Sequence, residues 1–214
     1  MISIIIPIYN QSEHLSKLLD SIILQSYDNY EIIIIDDGSI DDIKTVIVKY
    51  LEIFKSKIAY FNQENRGAGT ARNRGAKMAK GEYIIFCDAD IIMAPKMLEL
   101  MLEALKKNHE ASFCYSAFLW GKRKFALWPY DLKKLKTMPY INTASIIMKK
   151  HFPGFDEKLK RFQDWDLWLT MAESNHGGVW LDQILYKVNI GGAQSMSHWL
   201  PAFAYKLLPF LPAV

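Results

Sequence analysis

Several things are scarce in this chain of 214 residues. It has two cysteines, Cys87 and Cys114. Both lie inside apolar strand-like runs without metal-type spacing, which predicts buried thiols and a reducing, cytoplasmic setting. Charge of one sign is not in excess: 26 Lys and Arg against 23 Asp and Glu leave +3, too little to argue for nucleic acid. No stretch is biased toward Gln, Ser, Gly or Pro and 50% of the residues are apolar, so disordered and fibrous classes are set aside. There is no internal repeat, no linker, and no charged leader followed by a cleavage site, so no signal peptide is expected. No apolar run reaches membrane length. Trp199–Val214 carries only Lys206 as a charge, but it is shorter than the roughly 18–20 residues of a bilayer span. Pro201, Pro209 and Pro212 also interrupt it, so a short interfacial or partner-docking helix around Pro201–Leu208 is expected.

Two phosphate-binding signatures are missing as well. After the first strand run, Pro7-Ile8-Tyr9-Asn10-Gln11 has neither the tight turn nor the bare backbone of a dinucleotide fingerprint. No Walker-type Gly-Lys-Ser/Thr occurs either. NAD-type enzymes and P-loop phosphotransferases are therefore disfavoured, and any phosphates would be met by a metal.

What is present is an alternation of strand and helix signals over the first 110 residues, the pattern of a Rossmann-like, mostly parallel α/β sheet flanked by helices. Ile2–Ile8 reads as a strand, then Gln11–Ser26 as a helix with apolar Leu15, Leu18, Leu19, Ile22 and Ile23 and with Ser12 as its cap. Glu31–Ile35, with four consecutive isoleucines, reads as a strand buried on both faces. Helices are expected at Asp41–Phe54, Gly67–Lys80 and Lys96–Lys107, the last with Pro95 in its first turn, and strands at Ile58–Asn62 and Tyr83–Cys87. Beyond Ala111 the pattern predicts strands at Ala111–Leu119, Lys124–Trp128, Asn142–Met148 and Val179–Val188. Short helices fall at Asp131–Lys136 and Asp164–Ser174.

In an open parallel sheet, ligands bind outside the carboxyl ends of strands. Asp36-Asp37 and Asp88-Ala89-Asp90 both fall at such ends. Two carboxylates one residue apart suit one hard cation whose shell a diphosphate completes. Acids after a strand are also common turn formers, so Asp-x-Asp alone is weak.

Five segments in order carry more. They are Ile4-Ile5-Ile6-Pro7-Ile8-Tyr9-Asn10, then Ile35-Asp36-Asp37-Gly38-Ser39-Ile40-Asp41, then Asn65-Arg66-Gly67-Ala68-Gly69-Thr70-Ala71-Arg72-Asn73. Gly81-Glu82-Tyr83-Ile84-Ile85-Phe86-Cys87-Asp88-Ala89-Asp90 and Gln163-Asp164-Trp165-Asp166-Leu167-Trp168-Leu169 complete the set. Together they resemble the family 2 glycosyltransferases of GT-A fold over nearly the whole chain. The resemblance implies an inverting transfer of sugar from a nucleotide-diphosphate sugar, most often a UDP-sugar, to a hydroxyl acceptor. Pro7 and Tyr9 would line the nucleotide pocket, Asp37 or Asp36 would accept from the base or ribose, and Arg72 would sit beside the base. Asp88 would meet the ribose or the metal, and Asp90 would hold Mn²⁺ or Mg²⁺. Asp164 would be the catalytic base, with Asp166 ranked second and Trp165 beside it on the acceptor side. Members often have Glu-Asp where this chain has Gln163-Asp164, which removes a charge next to the base.

The segment Tyr186–His198 looks like that family's closing loop over the donor phosphates. Relatives often carry Arg or His where this chain has Lys187 and Asn189, and Lys187 or His198 would compensate. The resemblance divides the chain into a GT-A domain over 1–198, with a nucleotide-sugar half (1–110) and an acceptor half (111–198), followed by an apolar tail over 199–214.

Basic residues crowd the second half. Between 117 and 161 there are eleven Lys and Arg against Asp131, Asp156 and Glu157. Trp120, Trp128, Trp165, Trp168 and Trp180 are available there as sugar platforms or as core. Basic surface and tail together suggest peripheral attachment to an anionic cytoplasmic leaflet, where a glycan or lipid-linked acceptor of envelope or polysaccharide biosynthesis is presented. A nucleotidyltransferase or a non-catalytic sugar-nucleotide module are the competing readings. Nucleic acid ranks last, since the basic run lacks a reading motif.

Overall fold

The structure, a computed structural model, describes residues 1–189. Its strands are β1 (Ile2–Ile8), β2 (Tyr30–Asp36), β3 (Ile58–Asn62), β4 (Tyr83–Phe86), β5 (Ile91–Met93), β6 (Ala111–Trp120), β7 (Arg123–Phe125), β8 (Ile146–Met148) and β9 (Gly177–Val188). The helices are α1 (Ser12–Ile23), α2 (Ile43–Phe54), α3 (Ala68–Met78), α4 (Met97–Lys107), α5 (Leu132–Leu135) and α6 (Gln163–Glu173). Among the described residues the strands form one sheet in the order β3-β2-β1-β4-β8-β6-β9-β5, with β7 paired to β6. The β3-β2-β1-β4 part is wholly parallel, as is the long β6–β9 ladder; β4–β8, β8–β6, β9–β5 and β6–β7 are antiparallel. This is the mostly parallel α/β sheet that the alternating pattern predicts.

The isoleucine-rich strands explain the centre. β1 and nearly all of β2 are buried, and continuous β-branched runs suit strands covered on both faces. Pro7 sits in the central strand β1 without costing a ladder bond. The Cys87 N–H donates to Ile5 O and the Asp37 N–H to Ile8 O, so odd positions of β1 face β4 and even positions face β2. Pro7 therefore faces β4 where that strand has already ended. Helix α3 packs across β1 and β2 at a distance that only glycine permits at position 75, because a Cβ there would lie 2.4 Å from Ile5 Cγ2.

Because β1 leads to β2 on one side and neighbours β4 on the other, the strand order reverses beside β1. The carboxyl ends of β1, β2 and β4 thus open a crevice at a switch point, and Asp36, Asp37, Asp88 and Asp90 stand at its rim.

Several boundaries differ from the sequence expectation, each for a local reason. Ser12 is the first helical residue of α1 rather than its cap; Gln11 precedes the helix without a side-chain bond. The Ser12 N–H is taken by Asp41 Oδ2 at 2.8 Å, a tertiary cap. Pro95 lies outside α4, in a turn closed by the Met97 N–H on Ala94 O. β5 is an addition: three residues too short to show a period, made a strand by pairing with β9. The run over 142–148 narrows to β8 because Asn142 Oδ1 accepts from the Ala144 N–H and Asn142 O from Ser145 Oγ, forming a turn. The hairpin strand β7 stops at Phe125, since Leu127 adopts φ 60°. Cys87 and Cys114 are buried free thiols, as expected.

Candidate active site

The loop after β2 is braced by its own acids. Gly38, at φ 84°, lets the chain turn back. Asp36 Oδ1 accepts from the Ser39 N–H at 2.8 Å, and its Oδ2 from the Tyr60 hydroxyl at 2.5 Å and from Asn62 Nδ2 at 3.0 Å. Burial raises this carboxyl, but the hydrogen bonds from Ser39, Tyr60 and Asn62 outweigh it and hold the group below the usual carboxylate range. Asp37 accepts from Gln63 Nε2 (2.8 Å), the Arg66 N–H (2.9 Å) and the Gly67 N–H (2.7 Å). Both side chains are buried and already take six protein donors between them. They fix the approach to α3 at the rim of the crevice. Pro7 is buried within β1, while Tyr9, at 44% exposure, stands open at the end of β1.

Across the crevice, Asp88 and Asp90 follow β4. Arg72, projecting from α3, is 8% exposed. Its Nη2 pairs with Asp88 Oδ1 at 2.7 Å and its Nη1 donates to Gln163 Oε1 at 2.9 Å. The guanidinium also lies over the Phe155 ring, 5.3 Å from its centroid. Burial, followed by the negative charge of Asp88, pushes the Asp90 carboxyl up to about 7. The Asp90 carbonyl accepts from the Asn189 N–H at 2.8 Å, so the end of the described chain returns to this site.

The third acid comes from α6. Phe162 takes a left-handed conformation (φ 58°) before the helix, an uncommon state for an aromatic residue that turns the chain sharply into Gln163. Gln163 is held at both ends, by Arg72 and by its own Nε2 donating to Leu159 O at 2.6 Å. Asp164 Oδ1 accepts from the Trp165 N–H at 2.9 Å, which folds the carboxylate over the start of its helix. Burial raises the Asp164 carboxyl and Asp88 adds to the shift, while the Trp165 N–H and the Arg72 charge oppose it.

The fold thus brings Asp88, Asp90, Asp164 and Arg72 into one electrostatic neighbourhood from three elements. Tyr186 of β9 joins them. Its hydroxyl is raised well above 10 by burial and then by Cys87, Asp164, Asp88 and Asp90, and its ring stacks on Phe118 with centroids 5.0 Å apart. Sequence reasoning did not single it out; the available signal was strand alternation, which separates Tyr186 from its neighbour. Its neighbour Lys187 is exposed. Asp166 is also apart: its carboxyl is raised by burial and by Asp156 and Glu173. Trp165 spends its indole N–H on Leu135 O at 2.6 Å, which clamps α5 to α6. His198 and the tail over 199–214 lie outside the described residues.

Among the described residues no set of three or more His, Cys, Asp or Glu side chains is arranged to hold a metal. Two carboxylates, Asp88 and Asp90, stand at the crevice; Asp90 is raised to about 7 first by burial and then by the charge of Asp88, and both favour a divalent cation that would offset the negative charge there. The pair fits a cation whose remaining ligands come from substrate. No helix of the described residues is long and apolar enough to cross a membrane.

The family model described as glycosyl transferase family 2 matches residues 3–170. An uncharacterized glycosyltransferase of Rickettsia typhi is 32% identical over 91% of this chain, and the match covers 65% of that protein. A relative in Rickettsia felis, also 32% identical over 89% of this chain, is matched over 33% of its length. The chain therefore spans about two thirds and one third of these two relatives. Among solved structures, residues 1–349 of S. aureus TarS in complex with UDP-GlcNAc superpose with a TM-score of 0.74 at 20% identity, covering 93% of this chain and 61% of that one. The mannosyltransferase PcManGT from Pyrobaculum calidifontis, in complex with GDP-Man and Mn²⁺, superposes with a TM-score of 0.74 at 17% identity, over 90% and 57% of the two chains. At such identities these two likenesses concern the fold.

Proposed function

The chain belongs to glycosyl transferase family 2, and from that premise we propose that it moves a sugar from a nucleotide-diphosphate sugar to a hydroxyl acceptor in one inverting displacement. The observation that carries this reading is the buried Arg72 guanidinium that ties Asp88, two residues before Asp90 at the carboxyl end of β4, to Gln163, the residue before Asp164 at the start of α6.

The donor enters between Tyr9 and the loop braced by Asp36 and Asp37, with its diphosphate directed toward Asp88 and Asp90. A UDP-sugar is favoured by the UDP-GlcNAc complex of TarS, and a divalent cation by the Mn²⁺ complex of PcManGT. Asp88 and Asp90 would hold Mn²⁺ or Mg²⁺, which supplies charge stabilisation for the departing diphosphate. Asp164 accepts the proton of the attacking hydroxyl. Its raised affinity for protons suits a general base better than an ordinary carboxylate would. Arg72 keeps that elevation in check and, through Gln163 and Asp88, holds the base-bearing helix in fixed relation to the donor side. Residues 1–110 would serve the donor and 111–198 the acceptor.

The test is a Mn²⁺-supplemented thermal-shift screen of UDP, GDP, CDP and dTDP on the wild type, Asp90→Ala and Asp164→Asn. A shift with one nucleotide, lost in Asp90→Ala and kept in Asp164→Asn while transfer disappears, is the expected result. No shift with any nucleotide, or release of pyrophosphate instead of a nucleoside diphosphate, would overturn the reading.

A further inference from the structure

The helix that carries Asp164 is reached through a stretch of chain without regular structure. Between 152 and 162 there is neither helix nor strand, so the course of this stretch depends on what it touches. Two adjacent residues of α3 hold both of its ends. At one end Arg72 Nη1 donates to Gln163 Oε1 at 2.9 Å. At the other, Asn73 Nδ2 donates to Phe155 O at 2.9 Å while Asn73 Oδ1 accepts from the Phe155 N–H at 2.8 Å. One amide side chain thus satisfies both main-chain polar groups of a buried residue, as a neighbouring strand would.

The contacts run on from one end to the other. Asp156 Oδ1 accepts from the Lys158 N–H and Asp156 O from the Leu159 N–H, which turns the chain, and Leu159 O accepts from Gln163 Nε2 at 2.6 Å. Asn73, Phe155, the turn over 156–159, Gln163 and Arg72 therefore form a closed ring that begins and ends on neighbouring residues of one helix. Asp164 is the next residue after it. The Phe155 ring lies 5.3 Å from the Arg72 guanidinium and meets Phe86 of β4 edge-on, with centroids 5.0 Å apart, so this anchor also touches the strand that leads to Asp88. Glu157 braces it from outside, accepting from Asn73 Nδ2 and from Thr70 Oγ1, each at 3.0 Å.

We propose that Asn73 is a positioning residue for sugar transfer, acting through Phe155 and the turn that follows to set where Asp164 stands relative to the donor side. A displacement on the order of 1 Å is enough to cost a reaction about a hundredfold in rate. Because the Asn73 amide is neutral, its removal alters geometry and leaves the charges around Asp164 as they were. The proposal rests on the glycosyltransferase reading, since the role of Asp164 as base is what gives its placement a consequence.

The test compares the wild type with Asn73→Ala, Asn73→Asp, Asn73→Asp/Glu157→Gln and a control, Tyr50→Phe, which removes hydrogen bonds from α2 to Ser16 and Asp20 of α1. Asp at 73 keeps the acceptor for the Phe155 N–H but loses the donors and faces Glu157; Gln at 157 supplies a donor across that contact. Release of nucleoside diphosphate from UDP-GlcNAc and GDP-mannose with Mn²⁺, water serving as acceptor, gives kcat at a temperature where every variant is folded, and hydrogen exchange is followed at the start of α6. Asn73→Ala should exchange faster there and lose kcat about tenfold or more, with the acidic limb of the rate profile and the nucleotide-dependent thermal shift unchanged. Asn73→Asp should be impaired as well, the double variant should recover part of its loss, and Tyr50→Phe should lower the unfolding temperature with neither effect. Unchanged exchange at α6, full kcat in Asn73→Ala, an equal loss in Tyr50→Phe, or loss of the nucleotide shift in Asn73→Ala would overturn the proposal. Any of these in a protein whose wild type shows the nucleotide shift defeats this proposal alone, and absence of that shift from the wild type defeats the glycosyltransferase reading as well.

Discussion

Arg72 Nη1 lies 2.9 Å from Gln163 Oε1 while its Nη2 lies 2.7 Å from Asp88 Oδ1. One buried guanidinium thus ties the start of α6, with its Asp164, to the end of β4, and the amide at 163 receives it without neutralising it. A carboxylate there would draw on the same positive charge that holds down the Asp164 carboxyl.

Gln163→Leu should therefore loosen the base while leaving the donor site formed. We expect kcat to fall roughly tenfold or more from lost positioning, with the nucleotide dissociation constant unchanged. A parallel loss of nucleotide affinity would assign Gln163 to donor binding instead.

The acidic limb of the rate profile should lie above the ordinary carboxylate range, because a deprotonated Asp164 is required and its carboxyl is raised. Arg72 lowers that carboxyl, so removing its charge raises it further. Arg72→Gln should move the acidic limb of kcat to higher pH, and initial rates between pH 4 and 9 will check the direction.

Asp90 links protonation to both metal binding and stability. With its carboxyl near 7, cation binding must displace a proton below that pH, so Mn²⁺ affinity should rise as pH increases through about 7. Titration calorimetry in two buffers of different ionisation enthalpy reads the released proton. The raised folded-state value also means that this group favours folding below its unfolded value and loses that contribution as pH rises through about 7. Asp90→Asn should accordingly stabilise the metal-free protein at pH 8 relative to pH 5, by roughly 2 kcal/mol after allowance for partial exposure.

Gly75→Ala should be costly although it is a helical position, since the new Cβ would meet Ile5 Cγ2 at 2.4 Å. Overpacking of this kind costs about 1–3 kcal/mol, read from the urea midpoint at unchanged slope.

Trp165→Phe keeps an aromatic ring but removes the donor to Leu135 O. The loss should be about 1 kcal/mol of stability. On the proposed reading it should also raise KM for the acceptor while KM for the donor stays constant.

The chain's local chemistry determined its outline. Runs such as Ile32–Ile35 can be satisfied only by strands buried on both faces, and acids placed directly after such runs must fall at the carboxyl ends of a parallel sheet, where ligands bind. The positions of Asp88 and Asp90 were legible for that reason, whereas Asp164, in the first turn of a helix, was picked out only by the resemblance of the segment around it. Short or shared structure was not: β5 exists only because β9 lies beside it, and the cap of α1 is Asp41, 29 residues away. Tertiary structure alone decided which carboxylates are committed to bracing and which stand open, since hydrogen-bond partners such as Tyr60 and Gln63 arrive from distant strands and loops. It also decided that Tyr186 is buried beside the acids while Lys187 next to it is exposed, because the side on which a strand residue lies depends on register, and register is set by the neighbouring strands.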